Sequence, residues 1–170
     1  MSQGNHTVIF EALHPDVVLP SRETEGSAGY DVRAYLDGRN IRMRLGGTGE
    51  LREVPAMERQ LTLDPGDVAL IPTGFKARVP DGFEAQVRIR SSMAFKRGLM
   101  LPNAPGTIDA DYPDEWLIMM KNTSAHPVTI EHGERIAQVI LNRFEVVTWV
   151  EGKVGVTTDR QEGFGSTGHA

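Results

Sequence analysis

The sequence predicts an all-β fold, a jelly-roll-like β-barrel built from short strands. Apolar residues come in short runs, such as residues 136–141 and 146–150, and each run predicts a strand. Residues 84–90 alternate polar and apolar side chains with a period of two, which is typical of a half-buried strand. Turn sequences at residues 64–67 and 80–82 separate the runs at the spacing of hairpins. No stretch keeps the helical period, so we expect little helix.

Length and composition narrow the classes of function. A chain of 170 residues is long enough for one domain with a real core. Cysteine is absent, which excludes disulfides and thiolate metal sites. The formal net charge of −5 disfavours non-specific binding to nucleic acid, so we expect no nucleic-acid partner. A polyphosphate substrate would need a local cluster of cations and a divalent ion.

The polar N-terminus has no signal-peptide pattern. No apolar run approaches the roughly 20 residues that a bilayer crossing requires. We therefore expect a cytoplasmic protein without a membrane partner.

The sequence predicts one β-barrel domain, residues 1–156, and a C-terminal arm, residues 157–170. Within the domain, residues 39–60 carry alternating apolar residues around Gly46-Gly47 and several arginines. This pattern predicts an extra, inserted hairpin of exposed arginines, to which we assign no chemistry. The C-terminal arm has one large apolar residue, Phe164, among glycines and hydroxyls. Such a segment cannot bury enough surface to order itself, so we expect it to be mobile when free.

Residues 102–115, the central arm, are crowded with Pro, Gly, Asn and Asp between two apolar runs. That composition predicts a β-hairpin arm with tight turns. The arm carries Asp109, Asp111 and Tyr112. If it stays extended, Asp109 and Asp111 share one face and Tyr112 lies on the other.

Residues 90–98 follow a predicted strand and suit a short helix. Ser91 or Ser92 can cap its start, and Gly98 can take the left-handed conformation that ends it. The helix start then offers free N–H groups, a hydroxyl and the Arg90 guanidinium, a combination that suits phosphate. The alternative is a capped surface turn with a basic tip.

Two further polar features stand out. Gln138 interrupts an apolar strand, where an amide ordinarily faces solvent. In residues 160–168, glycines are spaced so that backbone N–H groups can converge on an anion, although no P-loop pattern is present. Phe164 within those glycines either has no function or stacks on a planar group. The alternative for the whole stretch is a disordered terminus.

Together these segments resemble the five motifs of trimeric dUTPases. The matching stretches are Ala28-Gly29-Tyr30-Asp31, Arg90-Ser91-Ser92, Gly106-Thr107-Ile108-Asp109-Ala110-Asp111-Tyr112, Arg135-Ile136-Ala137-Gln138, and Arg160-x-x-Gly163-Phe164-Gly165-Ser166-Thr167-Gly168. Each motif is weak alone, but the five occur in the family's order and approximate spacing.

The resemblance implies a jelly-roll homotrimer that hydrolyses dUTP to dUMP and pyrophosphate with Mg²⁺. Such an activity limits uracil incorporation into DNA and supplies dUMP for thymidylate synthesis. Each active site would gather motifs from different subunits, and the C-terminal arm would come from a neighbour. Asp109 would orient the water that attacks the α-phosphorus, with Ser91 and Gln138 as further catalytic groups. Mg²⁺ would be held mainly by substrate phosphates and water, and Asp31 would meet the hydrated ion through a water.

The resemblance also implies how dUTP is recognised. Tyr112 would lie under the deoxyribose, main-chain groups near Asn103 would read the uracil edge, and Phe164 would cover the base. The full set of implied substrate-binding residues is Arg90, Ser91, Ser92, Asn103, Gly106, Thr107, Ile108, Asp109, Tyr112, Leu117, Gln138, Arg160, Phe164, Gly165, Ser166 and Thr167.

The sequence departs from the family pattern in two places. Asp114 stands where members commonly have glycine, next to Pro113, and residues 39–60 are longer than the usual connection.

Two rival functions use the same fold. The first is dCTP deaminase, or its bifunctional form with dUTPase activity. Those enzymes carry a proton-shuttling glutamate on the strand after the arm, where this chain has Met119. The second is a non-catalytic nucleotide-binding regulator, which would bind dUTP without turnover.

Overall fold

The computed structural model describes residues 6–155, and these residues form thirteen strands and one short helix. The strands are β1 Ile9–Ala12, β2 Tyr30–Arg33, β3 Asn40–Arg44, β4 Leu51–Pro55, β5 Gln60–Leu63, β6 Val68–Pro72, β7 Phe75–Arg78, β8 Phe83–Ile89, β9 Leu99–Met100, β10 Gly106–Ile108, β11 Leu117–Asn122, β12 Val128–Glu131 and β13 Arg135–Arg143. The helix, α1, is Ser91–Arg97. The predicted all-β class is confirmed. In the described part of the chain, α1 is the one helix, and it is too short to cross a bilayer.

Two antiparallel sheets carry most of the fold. One has the strand order β4-β3-β6-β11-β9, and the other has the order β10-β8-β13-β2. The pairs β1-β7 and β12-β5 complete the barrel. Burial alternates along the strands, as in β11, where Ile118, Met120 and Asn122 are buried and their neighbours are half-buried. The inner faces meet in one core, in which Ile71, Phe75 and Ile136 are almost fully excluded from solvent. Burial of these side chains, at roughly 25 cal/mol per Å² of apolar surface, is the main force that holds the sheets together.

The period-two segment and the apolar run near the C-terminal end of the domain are both strands. Residues 84–90 correspond to β8, and residues 136–141 lie within β13. These two strands pair over seven residues, from Ala137 opposite Ile89 to Arg143 opposite Phe83. The apolar run at residues 146–150 is different, and the expectation of a strand there is wrong. It pairs with no strand of the described chain, and its Trp149 side chain is 93% exposed.

Residues 39–60, predicted as an inserted hairpin, contain β3 and β4, which pair from Asn40 opposite Pro55 to Arg44 opposite Leu51. The hairpin is continuous with the larger sheet, because β3 also pairs with β6 through Met43 and Ala69. Ile41 and Met43 point into the core, whereas the arginines between and after them are exposed. Arg39, which precedes β3, is partly buried and contacts Glu115 of the central arm.

Candidate active site

A small cavity of about 190 Å³ gathers side chains from three elements. β2 supplies Asp31, β13 supplies Gln138, and the start of α1 supplies Ser91 and Ser92. The sheet register explains the meeting, because Gln138 lies directly opposite Asp31 on one side and opposite Arg88 on the other. We call this the cationic cavity; its full lining is Glu23, Ser27, Gly29, Asp31, Arg90, Ser91, Ser92 and Gln138.

Two guanidinium groups are oriented beside the cationic cavity by carboxylates. Arg90 Nε lies 3.0 Å from Asp31 Oδ1, and Arg135 Nη1 donates to Asp31 Oδ2 at 3.0 Å. Arg135 also donates to Glu23, and Arg90 Nη1 donates to the Arg135 carbonyl at 3.1 Å. The hydrogen bond to Glu23 and the charges of Glu23 and Asp31 raise the pKa of Arg135, so this group stays cationic. Fixed guanidinium groups of this kind suit the oxygens of a phosphate.

The start of α1 differs from the prediction in one respect. Arg90 occupies the N-cap position, and no side chain caps the helix. The expectation that Ser91 or Ser92 caps it is therefore wrong, because both serines already belong to the first turn. Their hydroxyls line the cationic cavity instead. The predicted end of the helix is confirmed, since Gly98 has φ 63° and donates its N–H to the Ala94 carbonyl.

Gln138 turns toward the cationic cavity, and Gly29 makes the space that it occupies. A Cβ atom built on Gly29 would lie 2.2 Å from Gln138 Oε1 and 3.2 Å from Gln138 Cβ. Any larger residue at position 29 would collide with the amide. The Gln138 side chain is therefore placed to donate or accept a hydrogen bond inside the cavity rather than in open solvent.

The central arm is built differently from a simple two-stranded hairpin. Its base is paired, with Met100 opposite Lys121. Its middle strand, β10, pairs with β8 of the other sheet, from Gly106 opposite Val87 to Ile108 opposite Ala85. The arm thus passes from one sheet to the other. Its strand β10 is held by pairing with β8 and by the buried side chain of Ile108.

Beyond Ile108 the central arm turns, so the extended arrangement of Asp109 and Asp111 does not occur. The Tyr112 N–H donates to the Asp109 carbonyl at 3.2 Å, which closes a turn. A turn cancels the two-residue alternation, and Asp109, Asp111 and Tyr112 all line one cavity of about 640 Å³. We call it the central-arm cavity. Its remaining lining residues are Ile9, Glu11, Lys76, Ala77, Arg78, Asp81, Ala110, Pro113 and Phe144.

The two cavities share no lining residue. Ile108 is level with Ala85 and hence with Leu141, three residues along β13 from Gln138, and β10 lies two strands from β13. With about 3.3 Å per residue along a strand and about 4.8 Å between strands, Ile108 lies about 14 Å from Gln138. A single chain therefore does not bring Asp109 beside the residues of the cationic cavity.

The other predicted site residues fall around the central arm or outside the described residues. Thr107 is exposed opposite Gln86, and Leu117 is half-buried opposite Pro72 at the start of β11. Asn103 is exposed, with its Nδ2 close to the backbone of Gly106. The predicted residues of the C-terminal arm, Arg160, Phe164, Gly165, Ser166 and Thr167, lie outside the described residues.

Sequence reasoning missed one charged residue that lines the cationic cavity, Glu23, and one that lies beside it, Arg135. Glu23 had no predicted role, and Arg135 entered only as part of a motif. Their contact joins residues 112 positions apart in a polar loop and a strand. No local periodicity signals a pairing over that distance.

Comparison with known proteins decides the family. A family model described as dUTPase matches residues 56–168. The chain belongs to the dUTPase family. It is 44% identical over 155 residues to the deoxyuridine 5'-triphosphate nucleotidohydrolase of Desulfotalea psychrophila, covering 88% of this chain and 87% of that protein. It is 47% identical over 160 residues to the protein of the same name from Solibacter usitatus, covering 93% of each.

Solved structures agree with this assignment. The crystal structure of dUTPase from Streptococcus mutans is similar to this dUTPase-family chain with a TM-score of 0.62 and 28% identity. The similarity covers 82% of this chain and 98% of that one. The resemblance inferred from the five motifs is thereby confirmed at the level of family and fold.

Proposed function

We propose that this dUTPase-family chain hydrolyses dUTP to dUMP and pyrophosphate, at active sites that three copies share. The observation that carries the proposal is the division of the site residues between two cavities. The cationic cavity offers the Arg90 guanidinium, two serine hydroxyls and an amide for phosphates. The central-arm cavity offers the exposed carboxylate Asp109 and the ring of Tyr112.

The separation of about 14 Å supports a site made between subunits. A carboxylate that activates water must lie within hydrogen-bond reach of that water, directly beside the phosphorus. In one chain Asp109 is too far from Gln138 for that geometry, whereas a neighbouring copy can present its own central arm to the cationic cavity. A contact between unlike surfaces can repeat until it closes into a ring. The family resemblance implies that this ring contains three copies.

Exposed apolar side chains near the end of the described chain also favour an assembly. Val146, Trp149 and Val150 are each more than 80% exposed. A cluster of this kind on a soluble protein marks a contact surface, because its exposure to water is unfavourable. Burial against another subunit would remove that cost.

The reaction follows from the roles that these groups can take. Arg90, Ser91, Ser92 and Gln138 hold the triphosphate, and Asp109 of a neighbouring copy accepts a proton from a water molecule. The water oxygen forms a bond to the α-phosphorus while the bond from that phosphorus to the bridging oxygen breaks. Pyrophosphate leaves with the bonding pair, and dUMP remains.

The donor set fits Mg²⁺ bound chiefly to substrate. Among residues 6–155, no group of three His, Cys, Asp or Glu side chains can hold a metal ion by itself. The carboxylate of Asp31 is held between Arg90 and Arg135, so it suits a hydrogen bond to a metal-bound water better than direct ligation. Mg²⁺ commonly keeps several waters and binds through phosphates in this way, and it would neutralise the developing charge on pyrophosphate.

Base selection belongs to the central arm in this proposal. Backbone groups around Asn103 and Gly106 would pair with the uracil edge, and Leu117 would pack beside it. A site built for uracil leaves buried polar atoms unpaired with cytosine, which can discriminate by about 10⁴-fold. Phe164 of the C-terminal arm would stack on the base, and Arg160, Gly165, Ser166 and Thr167 would close on the phosphates.

The first test measures pyrophosphate release from dUTP, dCTP, dTTP and UTP with Mg²⁺, and ammonia release from dCTP in parallel. Pyrophosphate from dUTP alone is the expected result. Ammonia from dCTP would favour the deaminase, and binding of dUTP without either product would favour the regulator.

Sharing of the site is tested with mixed trimers. Asp109→Asn and Gln138→Ala variants are each purified, then unfolded and refolded together. A site that takes Asp109 from one chain and Gln138 from another is intact in about one quarter of random pairings. Activity should therefore reappear on mixing, whereas a site within one chain would stay inactive in every mixture.

A further inference from the structure

An ion pair connects the hairpin of residues 39–60 to the central arm. Arg39 Nη2 donates to Glu115 Oε2 at 2.5 Å, and Arg39 Nη1 donates to Glu115 Oε1 at 3.1 Å. The geometry is bidentate, which fixes orientation as well as distance. Both side chains are largely shielded from solvent, with exposures of 24% for Arg39 and 15% for Glu115. It is therefore not an ordinary surface pair that water screens.

Glu115 is the residue at which the central arm returns to the barrel. Its Oε1 also accepts the Gly74 N–H at 2.7 Å. The next residue, Trp116, donates its N–H to the Phe75 carbonyl at 3.1 Å, and its own carbonyl accepts the Thr73 hydroxyl at 2.8 Å. The return end of the arm is thus fastened to the turn between β6 and β7.

That turn cannot shift to follow a loosened arm. Gly74 has φ +77°, and a Cβ atom there would lie 2.7 Å from Val17 Cγ2 and 2.9 Å from the Tyr35 ring. Its carbonyl also accepts the Leu13 N–H at 2.8 Å. Packing therefore holds Gly74 in place on several sides, and Glu115 is anchored to a rigid point.

The segment between the two anchors has little support of its own. On one side β10 ends at Ile108, and on the other the anchored residue is Glu115. Residues 109–114 between them are mostly exposed and contain one internal hydrogen bond, from Tyr112 to Asp109. The direction of the Asp109 and Tyr112 side chains thus depends on where the two ends are held.

We propose that Arg39 and Glu115 are positioning residues for the reaction, and that their ion pair aims Asp109 and Tyr112 at the bound nucleotide. The inference rests on the proposed function. It assigns a role to the hairpin of residues 39–60, whose first residue supplies the guanidinium. Arg39 can act at this distance because the Ala56 N–H, just beyond β4, donates to the Arg39 carbonyl and fixes its backbone.

The test compares Arg39→Met and Glu115→Gln with a matched control, Arg52→Met. Arg52 belongs to the same hairpin, but its ion-pair partner is Glu50 of that hairpin, and both side chains are about half exposed. Steady-state kinetics on dUTP, affinity for a non-hydrolysable dUTP analogue, and amide hydrogen exchange of residues 109–114 are measured for each. Misplacement of a catalytic group by about 1 Å costs up to about a hundredfold, so we expect kcat to fall by about tenfold to a hundredfold in the two pair variants. Analogue affinity should fall by a smaller factor than kcat, since the phosphate-holding groups are untouched and only the Tyr112 contact with the deoxyribose is loosened.

Hydrogen exchange separates positioning from a purely structural role. We expect faster exchange of residues 109–114 in Arg39→Met and Glu115→Gln, with the Arg52→Met protein matching the wild type. If exchange and kcat stay at wild-type values while only the melting temperature falls, the pair stabilises the fold alone and the inference is wrong. Glu115→Gln keeps the acceptor for Gly74 and carries the test if Arg39→Met does not fold. Turnover of dUTP by the wild-type protein is measured first. If the wild-type protein does not hydrolyse dUTP, the proposed function is wrong. If it does, and the two pair variants match it, only the positioning role is wrong.

Discussion

Replacement of Gly29 by alanine should selectively disable the cationic cavity. The new methyl group would lie 2.2 Å from Gln138 Oε1, far inside contact distance. That oxygen is the far end of a flexible side chain, so we expect Gln138 to rotate out of the cavity. The contact of 3.2 Å with Gln138 Cβ requires only a backbone shift of a few tenths of an ångström. Gly29 does not have the positive φ that disfavours alanine, so the substitution itself is compatible with the backbone.

The magnitude follows from the hydrogen bond that is lost. A hydrogen bond from an amide to a charged phosphate contributes about 1.5–3 kcal/mol. Since about 1.4 kcal/mol corresponds to a factor of ten, kcat/KM for dUTP should fall by about tenfold to 140-fold. The free energy of unfolding should change little. Alanine lowers the conformational entropy of the unfolded chain, which stabilises the fold by about 0.4–1 kcal/mol and offsets part of the cost of the new contact with Gln138.

Initial rates of pyrophosphate release measure the effect, with a thermal melt to confirm folding. Gly26→Ala is the control, because it lies in the same loop and a Cβ atom there meets nothing within 4 Å. The double variant with Gln138→Ala should be no worse than Gln138→Ala alone, since both changes remove the same contact. Full activity of Gly29→Ala, or losses that multiply in the double variant, would refute the reasoning.

Three further outcomes follow. Asp109→Asn should lower kcat by several orders of magnitude while analogue binding survives, and an active variant would remove Asp109 from its role. Deletion of residues 160–170 should abolish turnover yet leave the trimer intact by light scattering, so unchanged rates would show that the C-terminal arm is not a lid. Ile118→Ala, in a core position that is 1% exposed, should lower the free energy of unfolding by about 2–5 kcal/mol in denaturant titration. A smaller loss would mean that the core collapses around the missing atoms.

The strands were predictable where burial on one face imposes a period of two. β8 shows it, since Ala85 and Val87 are buried and Gln86 between them is not. β13 was predicted from its apolar run instead, and it buries the adjacent residues Ile136 and Ala137. The same reasoning failed at residues 146–150. An apolar run predicts that its side chains are buried, but it does not show whether the residues that bury them belong to the same chain. No residue of the described chain buries Trp149, which stays exposed.

The proximity of several candidate residues was predictable, but their geometry was not. Asp31, Ser91 and Gln138 meet in one cavity as their motifs suggested, because adjacent strands and the helix start converge there. The capping role of the serines was wrong by one position, since an N-cap depends on backbone angles that Arg90 adopts equally well. The pairing of Arg39 with Glu115, 76 residues apart, has no local signal, because it depends on how β3 and β11 lie in the sheet.

The core that folding requires is complete within one chain, whereas the residues that the proposed reaction requires lie in two separate cavities. Each chain completes its own core, and its cationic cavity is already assembled from β2, β13 and α1. Ile108, the residue before Asp109, is held about 14 Å from Gln138 by the same sheet, so a single chain that keeps the sheet intact does not bring the central arm to the cationic cavity. In the proposed assembly, a neighbouring copy would bridge this separation by presenting its own Asp109 to the cationic cavity. The anchors at Ile108 and Glu115 then matter because residues 109–114 are mostly exposed and have one internal hydrogen bond in the described chain.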